Sequence, residues 1–159
     1  MRLKINSFTL PEVIVVLIII GAGIALFYGL LFLNWLSYEI ELTRIELHQQ
    51  SEEIFRQLSR DLLPSSSFSL GTGLTQSGNL TIFYPAFLGR SQVIYQINNN
   101  QLVRTEGGVN YILSENLDSA NSFFQIDSGS LFFQLALFQD VIGGRRVIFS
   151  NTQQLLMRN

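Results

Sequence analysis

The sequence predicts an α+β protein: a long N-terminal α-helix, membrane-spanning in its first half, packed on an antiparallel β-sheet head. Three observations predict it. Val13 to Leu33 contain no charged residue. An apolar stripe of helical period then continues as far as Pro64, and beyond residue 78 the period of the apolar residues falls to about two.

Composition narrows the function classes. Charged residues make up 14% of the chain and hydrophobic ones 47%, which excludes disorder over most of its length. Ten Lys+Arg against twelve Asp+Glu give a net charge of −2, without the basic stripe of a nucleic-acid binder; no nucleic-acid partner is expected. There is no cysteine, and His48 is the single histidine, so disulfide scaffolds, thiolate zinc sites, cysteine nucleophiles and paired-histidine metal motifs are all excluded. Asp118 and Asp127 are too sparse for a calcium cage. No nucleophile, base and orienting group can be assembled from these residues, so neither an enzyme nor a cofactor or metal is expected.

The first element is the apolar run. As a helix its 21 residues rise about 30 Å, the thickness of a bilayer's hydrocarbon core. A secretory signal has a shorter apolar core, about 7–15 residues, and a small-residue cleavage site behind it. Here the bulky Asn34-Trp35-Leu36-Ser37-Tyr38 follows, which fits a retained anchor. Arg2 and Lys4 put the short N-terminal end in the cytoplasm by the positive-inside rule, and the rest outside. Gly21, Gly23 and Gly29 interrupt the run. They are open to three readings: a helix-packing face, a stretch that loosens on leaving lipid, or the ordinary glycine content of membrane helices.

The second element, residues 34–63, continues the same helix, which thus extends from about Pro11 to Leu63. It contains neither Pro nor Gly, and Leu36, Ile40, Leu47, Ser51, Ile54, Phe55, Leu58 and Leu62 form one stripe. That stripe suits either a short coiled coil or a helix covering a core. His48 falls on the surface. Pro64 ends the helix, because proline cannot continue the hydrogen-bond ladder.

Residues 64–78, rich in Ser, Gly and Thr, read as a loop. The head, residues 79–159, then reads as strands at 80–84, 92–97, 101–105, 123–126, 131–138 and 145–150. Asn98-Asn99-Asn100 between the second and third strands marks a tight hairpin, since asparagine tolerates the left-handed conformation such turns need. Asp127-Ser128-Gly129-Ser130 and Ile142-Gly143-Gly144 are the other turns. Alternation puts Ile82, Tyr84, Val93, Tyr95, Leu131, Phe133, Leu135 and Val147 on the face toward the helix, with Phe132 and Phe138 on the other face.

The opening residues carry a resemblance. Arg2-Leu3-Lys4-Ile5-Asn6-Ser7-Phe8-Thr9-Leu10-Pro11-Glu12, followed by the apolar run, resembles the class III leader of type IV prepilins and type II secretion pseudopilins. That pattern is a short basic leader, a small residue, then Phe-Thr-Leu-x-Glu opening an apolar helix. Ser7 stands where the family usually has glycine. The resemblance implies a pilin-like fold and a leader of residues 1–7, carrying the charges of Arg2 and Lys4. It also implies cleavage between Ser7 and Phe8 by a prepilin peptidase, N-methylation of Phe8, and a filament-core helix over residues 8–33. The implied role is a minor pilin or pseudopilin near the tip of a type IV pilus-like filament, first held in the cell inner membrane. The implied partners are other pilin or pseudopilin subunits, the peptidase, an inner-membrane assembly platform, and membrane lipid before assembly. Leu58-Ser59-Arg60-Asp61-Leu62, the hairpin from Val93 to Thr105 and the terminal Leu155-Leu156-Met157-Arg158-Asn159 are similar to J-type minor pseudopilins. In this reading Phe132 and Phe138 face a neighbouring minor subunit. The alternative is an uncleaved, signal-anchored membrane protein with an extracytoplasmic β-rich binding domain.

Glu12 has a physical rationale as well. A carboxylate at the lip of an apolar run costs about 2–3 kcal/mol on insertion scales and needs a partner or water. The resemblance supplies the α-amine of Phe8 on a neighbouring subunit; the plain reading places Glu12 at headgroup level, facing water. Pro11 is harmless in a first helical turn, where its missing N–H has no acceptor after cleavage.

Overall fold

One α-helix, a short 3-10 turn and nine strands lie within the described residues, 9–71 and 75–155, of the computed structural model. Helix α1 runs Leu10–Leu62, within one residue of the expected span. The chain divides into two compact units, residues 1–39 and 40–159.

In the first unit, the described residues belong almost wholly to α1. The apolar window of this helix has none of its residues buried inside the protein, and Leu17, Ile18, Leu26, Tyr28 and Leu30 are all exposed. A helix apolar on every side and covered by nothing is stable only in an apolar surrounding. It is long and apolar enough to cross a membrane, and the chain is compatible with a single-pass membrane protein.

The second unit holds the rest of α1 and the strands β1 (Ser67–Ser69), β2 (Gln76–Ser77), β3 (Asn79–Phe83), β4 (Gln92–Asn98), β5 (Gln101–Glu106), β6 (Val109–Ser114), β7 (Phe123–Asp127), β8 (Ser130–Val141) and β9 (Arg145–Leu155). They form two antiparallel sheets, in the orders β1-β3-β4-β5-β6 and β2-β7-β8-β9. The helix packs on both. The six expected strands are present, the last two longer than expected. The segment expected as a loop, 64–78, contributes β1 and β2, which pair with β3 and β7. These are short strands at sheet edges, built from Ser, Phe and Gln without an alternating run long enough to read.

The hairpin between Asn98 and Gln101 has the expected geometry. Asn99 and Asn100 sit at φ 49° and 63°, between paired Asn98 and Gln101, as in a two-residue turn whose twist matches the strands.

Burial follows the stripe. Leu47, Ser51, Ile54, Phe55, Leu58 and Leu62 are buried, while the pairs Glu41–Arg44 and Glu53–Arg56 lie on the exposed side. All eight sheet positions expected to face the helix are buried. An aromatic chain joins the layers: Phe55 meets Phe133 edge-on at 5.5 Å, Phe133 stacks on Phe124 at 4.3 Å, and Phe124 meets Tyr95 at 6.5 Å. Phe132 and Phe138 are half-buried, and Arg146 lies over the Phe138 ring at 4.3 Å.

Leu58, with 0% of its surface exposed, is the most direct probe of this packing. Leu58→Asp places an unpaired charge between helix and sheets and should destabilise the head by about 4 kcal/mol or more. Thermal melting of the full chain in detergent checks this; a parental melting curve would mean that the stripe is not covered by the head.

Candidate functional site

Two groups of polar residues organise this chain: the start of α1 and a cluster around Asp61. Arg2, Lys4, Ser7 and Phe8 lie outside the described residues. Glu12 is described, in the first turn of α1. The Thr9 backbone N–H and hydroxyl both donate to Glu12 Oε2, at 2.8 and 2.9 Å. The Val13 N–H donates to the Thr9 carbonyl at 3.2 Å. Thr9-Leu10-Pro11-Glu12 thus closes one arm of a capping box, with the carboxylate against the positive end of the helix dipole. Glu12 therefore has a partner within its own chain, which neither the resemblance nor the headgroup reading supplies. Its Oε1 receives no hydrogen bond among the described residues, so the carboxylate keeps an oxygen for a further cation. Pro11 is the second helical residue, where an N–H would have no intrahelical acceptor in any case.

The second group is built by the end of α1 and the five-stranded sheet. Asp61 is 2% exposed. Arg104 donates to it twice, Nε to Oδ2 at 2.7 Å and Nη2 to Oδ1 at 3.2 Å. The Tyr95 hydroxyl donates to Oδ2 at 2.7 Å, and the Tyr84 hydroxyl donates to the Asp61 backbone carbonyl at 2.8 Å. That carbonyl belongs to the last turn of the helix, where acceptors lack partners along the chain. Glu106 accepts from Arg104 at 2.7 Å and from Arg90 at 3.1 Å. Arg90 also stands 3.6 Å from Asp61 and lies over the Tyr84 ring at 3.9 Å. Strand register explains the convergence, because Tyr95 and Arg104 are directly opposite each other on β4 and β5.

Two acids and two arginines leave this cluster neutral. Burial, reinforced by the Asp61 charge, pushes the Tyr84 hydroxyl up to about 12 and the Tyr95 hydroxyl higher still. Hydrogen bonds from Arg104 and Arg90 hold the Glu106 carboxyl below its usual range. The cluster's hydrogen bonds close on one another, so the arrangement ties the helix to the sheet. In the sequence Asp61 is only one acid among several on the helix. Its partners lie 34 and 43 residues away; the available signal was an arginine at an inward-alternating strand position.

The other residues singled out in the sequence are placed simply. His48 is exposed, its ring 5.4 Å from that of Phe149. Asp118 accepts from the Ala120 N–H and the Asn121 side chain. Among the described residues, no group of three His, Cys, Asp or Glu could hold a metal ion. A Cβ on Gly21, Gly23 or Gly29 would meet nothing within 4 Å.

No protein-family model, curated protein or solved structure matches this chain.

Removing the arginine should strand the buried carboxylate. Arg104→Met is expected to cost about 3–5 kcal/mol of head stability in denaturant titration. Glu106 sets part of the acid response. Its carboxyl is depressed in the folded state, so its contribution is full above the ordinary carboxylate range and is lost as pH falls through its lowered folded value. Glu106→Gln should therefore flatten the loss of stability as pH falls below the ordinary carboxylate range; equal acid limbs in the two proteins would remove Glu106 from the network.

Proposed function

We propose that this chain is a minor pilin or pseudopilin, a non-catalytic structural subunit of a type IV pilus-like filament. One observation carries the reading. Phe8-Thr9-Leu10-Pro11-Glu12 opens a charge-free run of 21 residues on a helix whose later turns carry a folded β head. The leader motif puts the cut at the Ser7–Phe8 bond. Cleavage there frees the amine of Phe8, and Glu12 keeps one carboxylate oxygen free of in-chain donors among the described residues. In the filament that oxygen accepts from the amine of a neighbouring subunit, which neutralises both charges as the helix leaves lipid.

The processing step is tested by intact mass in cells carrying a prepilin peptidase. Loss of residues 1–7 with gain of one methyl group is expected for the parent and for Ser7→Gly, and an uncut chain for Ser7→Trp. Equal processing of all three would remove Ser7 from the site. A parent chain still beginning at Met1 would favour an uncleaved anchor with a binding head.

Assembly is tested separately. Glu12→Val should insert in the membrane and be cut normally, since valine suits an apolar helix, yet fail to enter filaments. Its recovery from sheared filaments at the parental level would defeat the pairing.

A further inference from the structure

Parts of both sheets enclose an open groove of about 560 Å³, within the usual size range of small-ligand sites. Its walls are the turn between β4 and β5, strand β2 with Gly78, and the stretch from Ser119 to Phe123. Ligand sites are lined mostly by apolar side chains. This one is lined mainly by amides and hydroxyls, and none of its lining residues is charged. Asp118, just outside, accepts from the Ala120 N–H and the Asn121 amide, so its charge is taken up locally. The groove is also fixed in shape. The Leu117 N–H donates to the Asn100 carbonyl at 2.9 Å, the Asp118 N–H to the Ala136 carbonyl at 2.8 Å, and the Ile97 N–H to the Gly78 carbonyl at 2.8 Å. The Ser119 hydroxyl donates to Asn100 Oδ1 at 3.0 Å.

The hydrogen-bonding capacity left in the groove is large. The side-chain amides of Gln76, Asn98 and Asn99 line it and bond to no other described residue. Ser77 Oγ accepts from the Asn79 N–H and keeps its own proton to donate. A second hollow, of about 210 Å³, lies on the outer face of the four-stranded sheet and shares Phe123 with the groove. There the register sets Phe123 opposite Gln134 and Gln125 opposite Phe132. Two rings and two amides therefore alternate on one face, and both rings are half-buried. Asp127 is the one charged residue lining this hollow. An apolar ligand would leave the amides unpaired, and an anion would meet Asp127 with no cation in either lining. A pyranose matches the set: its hydroxyls donate and accept as side-chain amides do, and its C–H face suits the negative face of an aromatic ring.

We infer that the groove and the adjoining hollow form one binding site for a neutral oligosaccharide. Gln76, Asn98, Asn99 and Ser77 hydrogen-bond the hydroxyls of one part of the chain of sugars. Phe123 and Phe132 carry sugar rings beyond it, with Gln125 and Gln134 at their edges. Phe132 thereby serves a ligand, where the resemblance implied a neighbouring subunit. The inference rests on the head alone, so failure of cleavage after Ser7 would leave it standing.

Saturation-transfer NMR of the full chain in phosphatidylcholine nanodiscs tests the site, with empty nanodiscs as the blank. Cellotetraose, maltotetraose and chitotetraose are the neutral probes; tetragalacturonate and the peptide Ala-Ser-Ala-Ser are the controls. A neutral tetraose is expected to take up saturation, most strongly at its ring C–H protons. Ala120→Trp fills the groove from an exposed position and should abolish the signal. Gln76→Ala combined with Asn99→Gly removes two amides and leaves glycine at the left-handed turn position, φ 49°. This double variant should bind about ten-fold more weakly. Both variants should melt with the parent, since the altered side chains are exposed. No saturation of any neutral tetraose by the parent, or a signal that survives Ala120→Trp, would overturn the site. A double variant that binds like the parent would remove the amides from recognition. Equal signals from tetragalacturonate or from the peptide would contradict the saccharide chemistry, the peptide result assigning the groove to a protein segment instead.

Discussion

The Asp61 carboxylate sits where water hardly reaches it, and Arg104, Tyr95 and Arg90 meet it from three directions. A charge buried in that way is tolerable only at one position of the helix. Advancing α1 by a single residue would turn the carboxylate by about 100° and separate it from every partner at once. The cluster therefore sets both the rotation and the register of the last turns, and the apolar stripe upstream follows from it. Leu58 and Leu62 then face the sheets, and Phe55 reaches Phe133. Apolar contacts supply most of the attraction here, but they tolerate sliding; the ionic cluster does not.

One helix meets two surroundings. From Val13 to Leu33 it is apolar on all sides, and the protein covers none of it. From Ile40 onward it is apolar on one stripe, and the head covers that stripe. Glu12 at the start is satisfied by Thr9 through local geometry, whereas Asp61 at the end is satisfied by distant strands. The two carboxylates thus differ in kind. The first can exchange its partner without disturbing the head, and the second cannot.

The helix was legible in the sequence because Pro11 and Pro64 stand at its limits and its stripe has a regular period. The eight buried sheet positions were legible because strands with one covered face alternate. The division into two sheets was not. It depends on β2 crossing to β7 and on the polar link of residues 115–122 turning the chain away after β6, neither of which leaves a periodic signal. Strand β6 escaped notice for a related reason: Val109 to Ile112 are exposed on both faces, so nothing imposes alternation on them. The Asp61 cluster was hidden because its members come from one helix and two strands, and local reading sees only a charged residue on a helix. Around Glu12 the residue types were readable, but the hydrogen bond from Thr9 was not.

Hydrogen exchange of the full chain in lipid nanodiscs, followed through rising urea, tests the divided helix most directly. The account predicts that amides from Thr43 to Leu62 lose protection together with those of Tyr95 and Phe133, as one cooperative unit. Amides from Val15 to Leu33 should stay protected until the lipid itself is removed. Loss of protection over residues 43–62 well before the strands, or over residues 15–33 in step with the head, would contradict it.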